Sequence, residues 1–223
     1  MDKKEEGSHV PRGVFAIFRN ILRQRNGIWR LLNSVSLDFR YGGKFLGGDI
    51  YSEDDEKYSH IMNSDYRVID HLFSKVTIGN DDVITDVGCG KGRVFNYLLS
   101  KQVKNPLFGI ELSSAVAEFT RARLKRYPQI KVLQENVDLI QEIPGTIFYL
   151  FNPFGTETMR NFSKILERQW SQNSAGKQIQ ILYFNPKRIS VFQENPFWEV
   201  SERIDTKAVG YQCGAFLVRS RKK

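Results

Sequence analysis

From residue 81 onward, short apolar runs alternate with helical patterns, and this alternation restricts the possible folds more than any other feature of the chain. The strand-like runs are DVITDV (82–87), PLFGIEL (106–112), IKVLQEN (130–136), TIFYLFNPF (146–154) and QIQILYFN (178–185). The helical patterns among them are GRVFNYLLSKQ (92–102), SAVAEFTRARLKRY (114–127) and TMRNFSKILERQWSQ (158–172). Strands that alternate with helices imply right-handed crossovers and a parallel sheet covered on both faces. We therefore predict a doubly wound α/β fold with a mostly parallel sheet.

The end of the chain breaks the alternation. FWEVSERI (197–204) and GYQCGAFLVRSR (210–221) are both strand-like, and only DTKAV (205–209) separates them. Two strands joined without a helix form an antiparallel hairpin. The prediction is therefore a seven-stranded sheet with an antiparallel C-terminal hairpin strand.

Residues 1–60 are expected to form a basic helical segment followed by a flap, and residues 61–223 the main domain. An apolar stripe at helical spacing runs through GVFAIFRNILRQRNGIWRLLN (13–33), and it consists of Phe15, Phe18, Ile21, Leu22, Trp29 and Leu32. The next segment, RYGGKFLGGDIYSEDDEKY (40–58), is rich in glycine and acids and is predicted to be a loop or mobile flap. A further helix is predicted over 63–77, capped by Asn63 or Ser64.

The charge of the N-terminal segment indicates an acidic partner or a solvated basic face. Residues 1–48 hold nine Lys/Arg against four Asp/Glu, and the whole chain has a net charge of +8. Arg19, Arg23 and Arg30 oppose the apolar stripe, which is typical of a helix in a membrane interface. A helix packed on its own core or on a second copy has the same composition, so residues 14–33 leave all three alternatives open. Nucleic acid is a less favoured partner, and the oligomeric state is undetermined.

Composition also limits the compartment and the chemistry. No apolar run is long enough to span a bilayer, and the first residues do not resemble a signal peptide. The chain has two cysteines, Cys89 and Cys213, which excludes a disulfide framework. Its three histidines have no metal-ligand spacing, so no metal site is expected. We predict a cytoplasmic protein with peripheral membrane contact as an option.

The loop DVGCGKGR (86–93) is the strongest indication of a ligand site. Gly88, Gly90 and Gly92 follow a buried strand and open a helix, which lets a ligand approach the backbone closely. The dinucleotide fingerprint G-x-G-x-x-G needs a third glycine where this chain has Arg93. Asp86 would repel a pyrophosphate, so it either suits a cationic ligand or acts by ordering the amides of the loop. A dinucleotide-dependent oxidoreductase is therefore the disfavoured alternative.

DVGCGKGR followed by GIELS (109–113) resembles the class I S-adenosylmethionine-dependent methyltransferases, over roughly residues 60–220. In that family the last of seven strands is antiparallel and inserted through a hairpin. The resemblance implies that S-adenosylmethionine is the cofactor and that Asp86, Gly88, Cys89 and Gly90 line its methionine end. It further implies that Glu111 binds the ribose hydroxyls, Leu112 packs on the adenine, and Asn136 or Asp138 meets the adenine amino group. A non-catalytic binding subunit with this fold is a further alternative.

The segment FYLFNPFG (148–155) indicates an acceptor site. Asn152, Pro153 and Phe154 match three of the four positions of the Asn-Pro-Pro-aromatic motif of N-methyltransferases, which favours N- over O-methylation. The order of flap, helix, glycine loop and GIELS also resembles the Dot-type lysine methyltransferases more weakly. The acceptor itself stays open among a small molecule, a glycan intermediate and a protein side chain. Residues 41–60 are expected to close over it as a lid, and an Asn-Pro turn without function is the alternative for residues 152–155.

Overall fold

A single mixed sheet organises the part of the chain that the computed structural model describes, which is residues 27–47, 63–172 and 177–221. Its strands are β1 (Ile84–Val87), β2 (Leu107–Glu111), β3 (Ile130–Gln134), β4 (Ile147–Phe151), β5 (Gln180–Phe184), β6 (Trp198–Val200) and β7 (Ala215–Ser220). They lie in the order β3-β2-β1-β4-β5-β7-β6. Strands β1 to β5 pair in parallel, whereas β7 is antiparallel to both β5 and β6. The predicted seven-stranded fold and its antiparallel hairpin strand are confirmed.

Helices cover both faces of this sheet. They are α1 (Gly27–Gly42), α2 (Tyr66–Phe73), α3 (Arg93–Ser100), α4 (Ser114–Leu124), α5 (Thr156–Gln172) and the short α6 (Ser190–Gln193). Successive side chains of a strand point to opposite faces. Tyr149 of β4 therefore belongs to the core beneath α2, α3 and α4, whereas Phe148 and Leu150 belong to the core beneath α5 and α6. All four residues of β1 are buried, because this central strand is covered on both sides.

The N-terminal boundaries differ from the sequence prediction in two places. Helix α1 continues to Gly42, so it includes the first residues of the predicted loop. Helix α2 is capped by Asp65, whose carboxylate accepts a hydrogen bond from the Arg67 amide at 2.9 Å. The predicted caps have other partners, since the Ser64 hydroxyl accepts from Tyr149 in the core and the Asn63 amide donates to the Leu46 carbonyl. Asp65 also pairs electrostatically with Arg30 of α1, an interaction that the sequence pattern does not reveal.

The C-terminal hairpin also contains more helix than predicted. The connection between β6 and β7 includes one 3-10 turn, Lys207–Val209, where we expected none, and α6 lies between β5 and β6. The Thr206 hydroxyl donates to the Tyr211 carbonyl at 2.9 Å and accepts from the Gly214 amide at 3.1 Å, so it closes the turn across its two ends. These hydrogen bonds within the connection stabilise a turn that the weak propensity of a five-residue segment does not predict.

Helix α1 and the turn after it pack on the main domain. Asp38 and Leu46 are almost completely buried. The domain boundary at residue 60 stays a prediction, but residues 27–47 pack against the hydrophobic core formed by the following residues. The apolar stripe of residues 13–26 lies outside the described residues. In the described part of the chain, no helix combines the length and apolar content needed to cross a bilayer, and the predicted cytoplasmic location stays a prediction.

Candidate functional site

The glycine loop between β1 and α3 has a backbone that only glycine adopts without strain. Gly88, Gly90 and Gly92 have φ values of 76°, 49° and 78°. The loop is also tightly enclosed: a Cβ at Gly88 would lie 3.1 Å from the Pro153 Cβ, and one at Gly92 would lie 2.9 Å from Thr120. The alternate glycines therefore serve both a left-handed backbone and close approach to the β4 and α4 sides of the site.

The loop amides already have acceptors within the protein. The amides of Gly88 and Cys89 both donate to the Ile110 carbonyl, at 2.8 and 3.0 Å, and the Gly92 amide donates to the Cys89 carbonyl at 2.8 Å. The Gly90 amide donates to the Glu111 carboxylate at 2.9 Å. A pyrophosphate site needs such amides directed at the ligand. This geometry is therefore poorly suited to a dinucleotide.

Two buried carboxylates face the loop, and they lie at the ends of adjacent strands. Asp86 and Glu111 are 4% and 9% exposed. The Asp86 pKa is raised to about 8, first by burial and then by the Glu111 charge. Among residues 27–47, 63–172 and 177–221, no lysine, arginine or histidine forms an ion pair with either group. Burial and the neighbouring carboxylate oppose ionisation of Asp86, so a positively charged ligand would stabilise its ionised form.

Helix α4 holds the opposite side of the loop, a feature that the sequence patterns did not predict. The Thr120 hydroxyl donates to the Gly90 carbonyl at 2.8 Å. The Arg123 guanidinium donates to the Lys91 carbonyl at 2.6 Å and to the Gly92 carbonyl at 3.2 Å. Three successive carbonyls are thus held by two side chains. Thr120 and Arg123 stand on the inward face of an otherwise apolar helix stripe, which is the only signal that could have indicated them.

Helix α1 reaches the same loop through a buried polar network. Asp38 is completely buried, and its carboxylate accepts hydrogen bonds from Arg93 at 2.9 Å, from the Tyr66 hydroxyl at 2.6 Å and from the Leu46 amide at 3.1 Å. Burial and the Asp38 charge raise the pKa of Tyr66 far above its usual range, so the phenol stays a donor. Arg93, which replaces the third fingerprint glycine, therefore anchors α1 to the helix that leaves the loop.

The loop after β4 lies against the glycine loop through Pro153. Asn152 has a left-handed backbone with a φ of 44°, and its side-chain oxygen accepts from the Tyr183 hydroxyl at 3.4 Å. Asn185, after β5, adopts the same conformation with a φ of 50°. Asn tolerates the left-handed region better than most residues. This tolerance explains why Asn occupies the same position in both Phe-Asn-Pro sequences, 151–153 and 184–186. Phe154 packs on Phe162 of α5, with ring centroids 5.9 Å apart, so it supports the loop from the core side.

The residues predicted for the adenine end follow β2 and β3. Leu112 is 44% exposed beside Glu111. The Asn136 side-chain oxygen accepts from the Asp138 amide at 3.0 Å. The two Asp138 oxygens accept from Thr158 at 2.7 Å and from Asn161 at 3.2 Å, both on α5. The two candidates thus differ, because Asp138 is already held on a helix and Asn136 is not.

Two other parts of the prediction have separate outcomes. Residues 48–60 of the expected lid lie outside the described residues. In the described part of the chain, no three His, Cys, Asp or Glu side chains come together in an arrangement that could hold a metal ion.

Comparison with known proteins gives one distant sequence relative, and no family model matches the chain. The inferred methyltransferase 235L of Invertebrate iridescent virus 6 is 26% identical over 99 residues, which are 41% of this chain and 36% of that protein. The chain thus spans about a third of the length of this curated relative.

Solved structures resemble the chain over a larger part of its length. The mitomycin 7-O-methyltransferase MmcR has a TM-score of 0.52 and 9% identity, over 70% of this chain and 53% of that chain. A TehB-like methyltransferase from Corynebacterium glutamicum has a TM-score of 0.50 and 16% identity, over 72% of this chain and 90% of that chain. The protein yhhF from Escherichia coli has a TM-score of 0.51 and 16% identity, over 70% of this chain and 87% of that chain. At these identities, the likeness establishes a shared fold.

Proposed function

Because the chain has the fold of the class I S-adenosylmethionine-dependent methyltransferases, we propose that it is an enzyme that binds S-adenosylmethionine and methylates a nucleophilic acceptor. The observation that carries this proposal is the pair of buried carboxylates, Asp86 and Glu111, beside a loop whose amides are already used. The cofactor has an ammonium and a sulfonium group, whose positive charge would stabilise the ionised form of these carboxyl groups. When bound, it would supply a methyl carbon activated by the sulfonium.

Each predicted cofactor residue has a specific role in this proposal. Asp86, with Gly88, Cys89 and Gly90, would receive the methionine end and its ammonium group. Glu111 would accept the ribose hydroxyls. Its two oxygens each accept one N–H, from Gly90 and from the Ser113 amide, both at 2.9 Å. A carboxylate has about four acceptor positions, so the same group can also bind a diol.

At the adenine end we favour Asn136 over Asp138. The reason is the pair of hydrogen bonds that fix the Asp138 carboxylate on α5. They tether the Asp138 carboxylate to a helix, whereas the Asn136 oxygen accepts one N–H, from the Asp138 amide, and keeps a second acceptor position. Leu112 provides an exposed apolar surface beside Glu111 that would cover one face of the base.

On the acceptor side, we propose that Asn152 orients an amine and that methylation occurs on nitrogen. Its loop touches the glycine loop at Pro153, which supports an acceptor position near the transferred methyl. A neutral amine needs little assistance besides alignment, and alignment is worth about 7–11 kcal/mol in favourable systems. The residue would hold the attacking lone pair in line with the C–S bond that breaks. The acceptor class remains a small molecule, a glycan intermediate or a protein side chain.

Calorimetry with S-adenosylmethionine, S-adenosylhomocysteine and NAD tests the cofactor. We expect binding of the first two and none of NAD. Asp86→Asn should abolish or strongly weaken S-adenosylmethionine binding in a folded protein. Asp82→Asn is the matched control, because Asp82 is equally buried but pairs with Lys177 before β1 begins, at its opposite end. Equal effects of the two substitutions, or tight NAD binding, would refute the proposal.

A turnover assay separates an enzyme from a binding subunit. The release of S-adenosylhomocysteine would be measured with pools of amines, glycans, proteins and nucleic acids as acceptors. Release that depends on an acceptor supports catalysis. Cofactor binding without release in any pool would favour the non-catalytic alternative.

A further inference from the structure

Helix α1 presents an apolar face to solvent. Ile28, Trp29, Leu32 and Phe39 are 55%, 76%, 52% and 53% exposed. At 3.6 residues per turn, these positions fall on one side of the helix. We call this set the α1 face. Single exposed apolar residues are ordinary, but four large ones on one helix face indicate a binding surface.

The opposite side of the same helix faces the protein, where Leu37 packs on the core and polar side chains make specific contacts. Arg30 pairs with Asp65 and lies over the Tyr211 ring, and Asp38 is completely buried in the network with Arg93. The helix orientation is therefore fixed by specific polar contacts. The apolar side of α1 faces outward because of this docking. Rotating the helix to bury that side would break these contacts.

Exposed cations continue the α1 face at its C-terminal end. Arg40 is exposed on the same side of the helix, and Lys44 follows after the last turn. Arg126, after α4, donates to the Arg40 carbonyl at 2.7 Å, which brings a third exposed cation to this place. We call these three residues the basic cluster. The single acidic residue of described segment 27–47 is Asp38, which points inward.

We propose that the α1 face and the basic cluster together bind the surface of a membrane that contains anionic lipids. Interfacial helices insert Trp, Phe and Leu into the boundary of the acyl region while Lys and Arg contact lipid phosphates. The described part of α1 supplies the apolar side chains, and the cluster supplies the adjacent charge. Nucleic acid would use the cations but has no use for exposed Ile28 and Leu32. A second copy of the chain would bring the same positive charges together, which opposes pairing through this surface.

Vesicle binding of the full-length chain tests this proposal. Sedimentation would compare vesicles of phosphatidylcholine with vesicles that also contain phosphatidylglycerol. Trp29→Ser combined with Leu32→Ser should lower the partition coefficient at least about tenfold, since each removes exposed apolar area only. Leu139→Ser is the matched control, because Leu139 is also 76% exposed but lies between β3 and β4.

Charge reversal tests the cluster separately. Arg40→Glu with Lys44→Glu should lower binding at least about tenfold to anionic vesicles, and added salt should reduce the wild-type affinity. Lys104→Glu with Lys164→Glu changes the net charge equally at exposed sites elsewhere and should change binding less than about twofold.

Three outcomes would overturn the proposal. The first is a wild-type protein that does not bind anionic vesicles. The second is vesicle binding that survives both α1-face and cluster substitutions. The third is dimerisation, or RNA binding, that is lost on the same substitutions while vesicle binding is absent. Because cofactor affinity is measured independently in each variant, failure of this proposal leaves the methyltransferase proposal untouched.

Discussion

Gly90 is held on both sides, and this gives a direct test of how far the loop geometry controls cofactor affinity. Its amide donates to Glu111 from one strand, and its carbonyl accepts from the Thr120 hydroxyl on α4. Thr120→Val removes the second bond with almost no change in shape. The γ-methyl group of Thr120, which lies near Gly92, is retained.

The size of the effect follows from burial. Thr120 is completely buried. Loss of its hydroxyl therefore leaves the Gly90 carbonyl without this donor in a buried place. An unmade buried hydrogen bond costs about 1–3 kcal/mol. For a chain of this size that cost lowers Tm by roughly 2–12 °C. Cofactor affinity falls only by the part of this free energy needed to restore the loop on binding, so we expect a loss of about two- to tenfold.

Thr85→Val is the matched control for this measurement. Thr85 is also completely buried, and its hydroxyl donates to the Pro144 carbonyl away from the loop. Thermal unfolding should show similar losses of stability for both variants. Calorimetry with S-adenosylhomocysteine should show weaker binding only for Thr120→Val. If both variants bind equally well, the α4 contact stabilises the fold without positioning the cofactor loop.

Three further predictions address other parts of the site. The Asp86 pKa is raised from 3.8 to about 8, so between these pH values the folded protein binds a proton more tightly than the unfolded chain. The contribution of this group to stability therefore falls as pH rises and is lost above about pH 8. Thermal unfolding between about pH 5 and pH 9 should show a smaller decline in Asp86→Asn than in the wild type, and parallel curves would contradict this prediction. Asn152→Gly should keep the left-handed turn and still lower turnover at least about tenfold with cofactor affinity unchanged, whereas wild-type turnover in Asn152→Gly would mean that the residue only shapes the turn. Asp38→Asn should destabilise the protein by about 3–5 kcal/mol, because it leaves the Arg93 guanidinium without its buried partner, and a denaturation midpoint equal to wild type would contradict this.

Local sequence patterns were sufficient to predict those features that depend only on the residues of one segment. The strand and helix alternation gave the fold class, since each element must bury an apolar face of fixed period. The glycine spacing in residues 88–92 gave the loop, because a left-handed backbone selects glycine almost independently of its surroundings. The proximity of Asp86 and Glu111 has a related reason, since residues at the ends of neighbouring parallel strands meet at one edge of the sheet, and their roles toward the cofactor stay predictions.

Contacts between distant segments decided the rest. The amphipathic pattern revealed a stripe on the N-terminal helix but not its direction, because Arg30 and Asp38 become internal only when Asp65 and Arg93 supply opposite charges. The α4 side chains that hold the loop also lie 30 or more residues from the carbonyls they bind. A buried polar group is stable only when a partner is in place, and that partner is set by packing. The sequence therefore determined the sheet and the edge at which the proposed site lies, whereas tertiary structure decided which polar groups turn inward and which apolar face remains outside.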